Sequence, residues 1–162
     1  TIGEIRVRSP AAAERYVGDP ETDARAYRDG WFHLGDTGRL DADGYLYLAG
    51  RLDDRINFGG RKLYPFEIEE VLLSHPDVAE AAALGLPSPV HQEVPVAAVV
   101  LRRPVPEADL IAYCAARLGA GKAPRHVVAF PELPRNAARK VPRAAIREAI
   151  RAQMQAGSGD TG

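Results

Sequence analysis

Short alternating segments characterise the first fifty residues of the chain. Apolar and polar residues alternate over residues 2–8 and the run stops at Pro10, which predicts a short strand. A polar, helix-like stretch follows it. Apolar positions then predict further strands at 31–34, 38–40 and 45–48. A turn at 41–44, rich in residues that tolerate positive φ, joins the last two strands, so this part is predicted to be a small β unit.

Longer elements follow from about residue 55 onward. Apolar residues three or four positions apart predict helices that begin at Pro65, at Pro106 and at Pro142. Apolar runs bounded by prolines predict two paired strands and one shorter strand, at 78–86, 94–101 and 127–130. Segregated strands and helices of this kind predict an α+β fold, a compact domain with helices packed on a small sheet.

The change of pattern near residues 51–54 indicates a domain boundary. We expect a β subdomain over 1–50, a second domain over 51–152 and a disordered, glycine-rich tail over 153–162. With 162 residues, 46% of them hydrophobic, the chain is long enough for one moderate core and a smaller appended unit.

Charge and cysteine content narrow the function classes. The net charge of -1 argues against bulk attraction to nucleic acid or to an anionic membrane surface. Cys114 is the single cysteine, so an internal disulfide is excluded and a reducing cytoplasm is expected; its apolar neighbours indicate a buried side chain. No stretch reaches the roughly 20 apolar residues of a membrane span. The four histidines are too scattered to predict a metal site.

Three blocks of sequence point to a chemistry. The first two are Gly30-Trp31-Phe32-His33-Leu34-Gly35-Asp36 and Gly50-Arg51-Leu52-Asp53-Asp54-Arg55-Ile56-Asn57-Phe58-Gly59-Gly60. The third is Leu133-Pro134-Arg135-Asn136-Ala137-Ala138-Arg139-Lys140-Val141-Pro142-Arg143. In order, spacing and residue type, they resemble motifs of the adenylate-forming enzymes, over residues 1 to about 152. The segment around Gly59-Gly60 and Tyr64-Pro65 resembles the acyl- or aryl-CoA synthetases of that group more than its peptide-synthetase domains.

The resemblance implies a role for several residues. Asp36 would accept the two ribose hydroxyls of ATP, since one carboxylate offers two acceptor oxygens to a vicinal diol. Arg51 would contact the ribose, and Lys62 would lie near the AMP phosphate. Asp53 would be the hinge about which the small domain rotates. Gly59 and Gly60 would line the pantetheine tunnel for CoA, because neither has a Cβ.

Lys140 falls where the family has its catalytic lysine. An ammonium group there would neutralise negative charge as a carboxylate approaches the α-phosphate, which is an electrostatic role rather than proton transfer. The chain differs from the usual family pattern at three positions. Leu34 stands where Thr is common, Asn136 also replaces Thr, and Arg139 replaces Gly.

The resemblance also implies an activity for a larger protein. An ATP-dependent ligase would convert a small carboxylic acid to an acyl-AMP and then to a thioester with CoA, with Mg²⁺ and ATP bound mainly by an N-terminal domain. Residues 1–50 would be the end of that large domain and 51–152 its mobile C-terminal domain. Since no phosphate loop or acyl pocket is found in this sequence, we expect the isolated chain to be inactive.

Alternatives remain open from the residues themselves. Arg51 could form a surface ion pair with Asp53 or Asp54, the glycine pair could be only a hairpin turn, and Lys140 could be a solvated lysine. Residues 122–151 have a local charge excess of +6, which could dock an acidic carrier protein or nucleic acid. An enzyme that loads a carrier protein is a further alternative. The three motifs together disfavour a non-catalytic remnant.

Overall fold

The chain divides into two compact units, Thr1–Asp54 and Arg55–Gly162, in a computed structural model that describes residues 2–11 and 18–157. Each unit is built on a sheet of its own. Within the described ranges, no helix combines the length and the apolar character that crossing a membrane requires.

The first unit is an antiparallel sheet of four strands with one short helix. The central strand pairs with all three others, and the elements are β1 (Gly3–Val7), α1 (Pro20–Ala26), β2 (Tyr27–Arg28), β3 (Trp31–Leu40) and β4 (Leu46–Arg51). A 3₁₀ turn, Leu52–Asp54, ends the unit. Asp19 caps α1, since its Oδ1 accepts a hydrogen bond of 3.0 Å from the Thr22 N–H.

Strand β3 is longer than the sequence predicts. The expected strands at 31–34 and 38–40 are one continuous strand, so their separation is wrong. Gly35 adopts φ +71, which glycine accepts without steric cost, and pairing resumes directly after it. Asp36 lies opposite Arg51 on β4, while Thr37 has pairing partners on both sides, in β1 and in β4.

The second unit has a sheet of five strands in the order β6-β5-β8-β7, with β9 added parallel to β8. In chain order its elements are β5 (Ile56–Phe58), β6 (Arg61–Leu63), α2 (Pro65–Leu73), β7 (Val78–Ser88), β8 (Gln92–Leu101), α3 (Glu107–Leu118), β9 (His126–Ala129) and α4 (Arg143–Gly157). The predicted α+β class and the predicted pairing of the two long strands are confirmed. The β5–β6 hairpin is an element that the hydrophobic pattern does not single out.

Helices cover both faces of the β7–β8 pair. Helices α2 and α3 pack on one face, where Ala83 and Val99 are fully buried. Helix α4 packs on the other face, where Ile146 and Ile150 are fully buried against Leu84. Burial on both faces explains why these strands have nearly continuous apolar sequences instead of an alternating pattern.

Strand β9 lies at an edge of the sheet, and side chains occupy part of that edge. The Val127 N–H donates to Oε1 of Glu107 at 3.0 Å, and Nε2 of Gln153 donates to the Ala129 carbonyl at 3.4 Å. A donor and an acceptor of this strand are therefore satisfied within the unit.

Helix α4 extends further than the sequence predicts. It runs to Gly157, so residues 153–157 are helical and do not belong to a tail. The reason is that Met154 continues the apolar face of Ile146 and Ile150 and packs against the same cluster. The remaining predicted tail, 158–162, lies outside the described residues.

Cys114 is expected to be unreactive in the folded chain. It is fully buried on α3, and this burial raises the pKa of its thiol to about 11. Below about pH 9 this group therefore contributes its full stabilisation of the folded state, which is lost as the pH rises toward 11. Thiol labelling at about pH 8 should be negligible without denaturant and complete in urea. Equal rates in both conditions would contradict this prediction.

Candidate functional site

Asp36 and Arg51 form an ion pair across strands β3 and β4. Nη1 of Arg51 lies 2.9 Å from Oδ1 of Asp36 and also donates to the Leu34 carbonyl at 3.4 Å. The Arg51 side chain is 58% exposed and that of Asp36 31% exposed, so both groups remain accessible. Arg51 therefore pairs with Asp36, a partner that the sequence did not single out.

The backbone at this pair is fixed by two features. A Cβ at Gly35 would lie 3.3 Å from Nη2 of Arg51, so the guanidinium rests on the glycine. Thr37 is fully buried, and its hydroxyl donates to the Gly50 carbonyl at 3.1 Å. The sequence motifs did not point to Thr37, although a threonine next to a predicted ligand-binding aspartate is a signal that could have drawn attention to it.

The Gly59-Gly60 pair is the two-residue turn of the β5–β6 hairpin. Both residues have positive φ, 54 and 80, as a type I′ turn requires. The Gly59 N–H donates to the His91 carbonyl at 3.0 Å, which ties the turn to the start of β8. Lys62 follows on β6 opposite Asn57 and is exposed. The turn explains the glycines structurally; their role in a tunnel stays a prediction.

Asp53 lies in the 3₁₀ turn that ends the first unit, and it is exposed. The turn spans three residues, Leu52–Asp54, and the second unit begins with the next residue. The hinge role stays a prediction.

Lys140 lies on an exposed loop between the buried Leu133 and helix α4. We call residues 134–142 the Lys140 loop. Its centre is closed by three hydrogen bonds between the ends of a tight turn: the Asn136 N–H donates to the Lys140 carbonyl at 2.9 Å, the Lys140 N–H donates to Oδ1 of Asn136 at 3.0 Å, and the Arg139 N–H donates to the Asn136 carbonyl at 2.8 Å. Among the described residues, the Lys140 ammonium group has no ion-pair partner.

Two arginines anchor the Lys140 loop to the rest of the unit. Arg135, near its start, forms an ion pair of 2.5 Å with Glu80 on β7. Arg143, directly after its end, lies 3.1 Å from Glu69 on α2 and also donates to the Ala83 carbonyl on β7. The sequence motifs pointed to neither glutamate as a partner; Glu80, an acidic residue within an apolar strand, was the available signal.

The basic residues of 122–151 are less available than their number implies. Lys122 lies 2.7 Å from Glu67, and Arg135 and Arg143 pair with glutamates that also lie outside the segment. Arg125 lies over the ring of Phe58. The charge excess counted along the sequence is therefore about halved, which weakens the case for docking of an acidic partner or nucleic acid through this segment.

Metal-ligating side chains do not cluster in the part of the chain that the structure describes. Within residues 2–11 and 18–157, no group of three or more His, Cys, Asp or Glu side chains is placed to hold an ion. The described side chains therefore do not fit a Mg²⁺ site of their own, and none of them is proposed as a Mg²⁺ ligand.

Comparison with known proteins relates the second unit to a family. The model of the family described as AMP-binding enzyme C-terminal domain matches residues 67–140, and its last matched residue is Lys140. Among curated proteins, a 2-succinylbenzoate–CoA ligase of Geobacillus kaustophilus is 45% identical over 150 residues, which is 91% of this chain and 31% of that protein. The chain spans 29–31% of the length of such relatives.

Solved structures give the same relationship. The o-succinylbenzoate CoA synthetase MenE from Bacillus subtilis, in complex with its acyl-adenylate intermediate OSB-AMP, is similar with a TM-score of 0.79 and 39% identity; the match covers 91% of this chain and 30% of that one. ATP-bound MatB from Rhodopseudomonas palustris is similar with a TM-score of 0.83 and 34% identity, covering 92% and 30%.

Arg139 has a left-handed backbone with φ +59, a conformation that costs a non-glycine residue about 1 kcal/mol. We therefore expect Arg139→Gly to be about 1 kcal/mol more stable than Arg139→Ala in urea unfolding followed by circular dichroism. Arg151 in helix α4 is the matched control. There the order should reverse, and Arg151→Gly should have a free energy of unfolding about 1 kcal/mol lower than that of Arg151→Ala. The same order at both positions would contradict the assigned backbone conformation.

Proposed function

We propose that the whole protein is an AMP-forming acid–thiol ligase, because this chain belongs to the adenylate-forming enzymes and contains their AMP-binding C-terminal domain. It would activate a small carboxylic acid with ATP and transfer the acyl group to CoA. The observation that carries the proposal is the family match over 67–140, which ends on an exposed lysine without an ion-pair partner in the described residues.

The two units have separate roles in this proposal. The predicted segment 1–50, which lies in the first unit, is the end of a large adenylation domain. The predicted segment 51–152, most of which lies in the second unit, is the mobile domain. Support for the first role comes from exposed apolar side chains that a larger domain would cover. Leu40, Tyr45 and Leu48 are each about two thirds exposed or more, at 67%, 68% and 72%.

In the first step a carboxylate oxygen attacks the α-phosphate of ATP. The new bond joins that oxygen to phosphorus, the bond to the β-phosphate bridging oxygen breaks, and pyrophosphate leaves with the electron pair. The Lys140 ammonium group stabilises the negative charge that accumulates on the pentavalent phosphorus. Its exposure and its lack of an ion-pair partner in the described residues leave it available for that role.

The nucleotide side of the site is the Asp36–Arg51 pair. Arg51 occupies Oδ1 of Asp36, which leaves Oδ2 and further lone pairs to accept the two ribose hydroxyls. The same guanidinium holds the carboxylate in a single orientation and has further N–H groups to offer the nucleotide. Lys62 would contribute charge near the AMP phosphate.

In the second step the small domain rotates about Asp53, and a thiol displaces AMP. The thiol loses its proton to solvent, the sulfur forms a bond to the acyl carbonyl carbon, and the carbon–oxygen bond to AMP breaks, so AMP leaves with the electron pair. The Gly59-Gly60 turn would line the path of the pantetheine arm, since its two residues present backbone without side chains. Hinge rotation of this kind requires only a few residues that absorb φ/ψ changes.

The substrates follow from this proposal. ATP, with Mg²⁺ held mainly by the N-terminal domain, a carboxylic acid and CoA are the small molecules required. An acyl carrier protein is the alternative acceptor, and a supplied acyl-adenylate offered to each acceptor would distinguish them by the thioester formed. Binding of nucleic acid is disfavoured, because Lys122, Arg135 and Arg143 are already paired with glutamates. We also propose a cytoplasmic location, since the one cysteine excludes an internal disulfide.

Removal of the Lys140 amine should strongly lower the rate of the first step, formation of the acyl-adenylate. In the whole protein, Lys140→Ala should lower acid-dependent ATP–pyrophosphate exchange about 10²–10³-fold, the usual loss for one preorganised charge-stabilising group. Arg151→Ala, which removes a charge from helix α4 in the same basic segment, is the control and should retain exchange. The isolated chain should show none. Undiminished exchange in Lys140→Ala would refute the assigned role.

The Asp36 carboxylate should contribute to ATP binding more than to folding. We expect Asp36→Asn to raise the KM for ATP about tenfold, because neutral hydrogen bonds are weaker than those to a charged acceptor. The free energy of unfolding should change by less than about 1 kcal/mol, since the ion pair is largely exposed. Asp43→Asn, in an exposed turn of the same unit, controls for loss of charge. An unchanged KM for ATP in Asp36→Asn would remove Asp36 from the site.

A further inference from the structure

We propose that Asn136 is a positioning residue for Lys140, and that the Glu80–Arg135 ion pair holds the turn containing Asn136 against strand β7. The inference rests on the proposed function, in which Lys140 acts in the adenylation step. It assigns to two residues, Asn136 and Glu80, the task of fixing the backbone from which the catalytic amine extends.

Asn136 contacts both polar backbone groups of Lys140. Its own N–H donates to the Lys140 carbonyl at 2.9 Å, and its side-chain Oδ1 accepts the Lys140 N–H at 3.0 Å. These contacts hold the backbone of Lys140, so its remaining motion is mainly rotation of the side chain. An alanine at 136 removes the second contact and leaves the first, so the amide oxygen can be tested alone.

Asn136 also supports the unfavourable backbone of Arg139. The Arg139 N–H donates to the Asn136 carbonyl at 2.8 Å, and the Arg139 carbonyl accepts from Nη1 of Arg135 at 3.1 Å. Both contacts hold a residue with φ +59 that would otherwise relax toward an ordinary conformation. Without them, the residue directly before Lys140 is free to rotate, and Lys140 would move with it.

The Glu80–Arg135 pair connects this turn to a rigid element. Glu80 lies on β7, whose neighbouring residues Val78 and Ala83 are buried in the core. Arg135 uses Nη2 for Glu80 and Nη1 for the Arg139 carbonyl, so one guanidinium links the strand to the turn. Planar arginine geometry suits such a two-sided contact better than lysine would.

Positioning has a direct kinetic consequence. A displacement of about 1 Å in a reacting or charge-stabilising group can cost up to 10²-fold in rate. Because Lys140 is proposed to act in adenylation and the Gly59-Gly60 turn in thioester formation, a displaced Lys140 loop should affect the first step alone. A general loss of folding would instead lower both steps.

The experiment uses the whole protein and separates the two steps. Adenylation is measured by acid-dependent ATP–pyrophosphate exchange, and thioester formation by AMP release from supplied acyl-adenylate and CoA. Asn136→Ala should lower the kcat of exchange about tenfold, with the KM for ATP within about twofold and AMP release unchanged. Asn136→Asp, which keeps an acceptor oxygen in the same place, should remain within about threefold of the unmodified protein.

The ion pair is tested with a matched control. Glu80→Gln should lower exchange in the same selective way, whereas Asp77→Asn should not. Asp77 forms a partly exposed ion pair with Arg103, at 2.7 Å, just before β7 begins. Equal effects of Glu80→Gln and Asp77→Asn would overturn the role of Glu80.

Three results would overturn the role of Asn136. The first is ATP–pyrophosphate exchange by Asn136→Ala within twofold of the unmodified protein. The others are equal losses of rate in both steps, or equal losses in Asn136→Asp and Asn136→Ala. If Asn136→Ala does not fold in the whole protein, amide hydrogen exchange of Lys140 in Asn136→Asp and Asn136→Ser decides. The proposal is supported if the Lys140 amide stays protected in Asn136→Asp and its hydrogen exchanges faster in Asn136→Ser. Equal protection of this amide in the two variants refutes it. Absence of acid-dependent ATP–pyrophosphate exchange in the unmodified protein would instead refute the proposed function itself.

Discussion

Burial of the β7–β8 pair on both faces is the constraint on which the second unit depends. Helices α2 and α3 cover one face, so the chain must return to the other face to cover the remaining apolar side chains, and α4 does so with Ile146 and Ile150. The connection that brings α4 into place is the Lys140 loop. A demand of core packing thus determines where the lysine is presented to solvent, and the two arginine–glutamate pairs at its ends refine that placement.

The first unit uses a different principle for its site. Asp36 and Arg51 are direct neighbours in a strand pairing, so sheet register alone brings a carboxylate and a guanidinium together. The buried hydroxyl of Thr37 donates to the Gly50 carbonyl next to Arg51, and Gly35 makes room for the guanidinium. Neither side chain needs to be buried for this geometry to persist, which leaves both groups open to a ligand.

Sequence patterns predicted what depends on local spacing. The helices after Pro65, Pro106 and Pro142 and the long strand pair were found because apolar period and proline position are local properties. The continuity of β3 through Gly35, and the partners of Arg51 and Arg135, were not found, since strand register and ion pairs join residues far apart in sequence. The motifs identified the candidate residues, but they gave no information on how the turn at Asn136 is closed.

The edge of β9 has a consequence for behaviour in solution. Unpaired edge strands recruit the strands of other molecules, which leads to aggregation, and proteins counter this by blocking the exposed backbone groups. Here Glu107 and Gln153 engage the Val127 N–H and the Ala129 carbonyl, which reduces the number of groups that could template a foreign strand. Two side chains of the same unit thus shield part of this edge, without another part of the protein having to cover it.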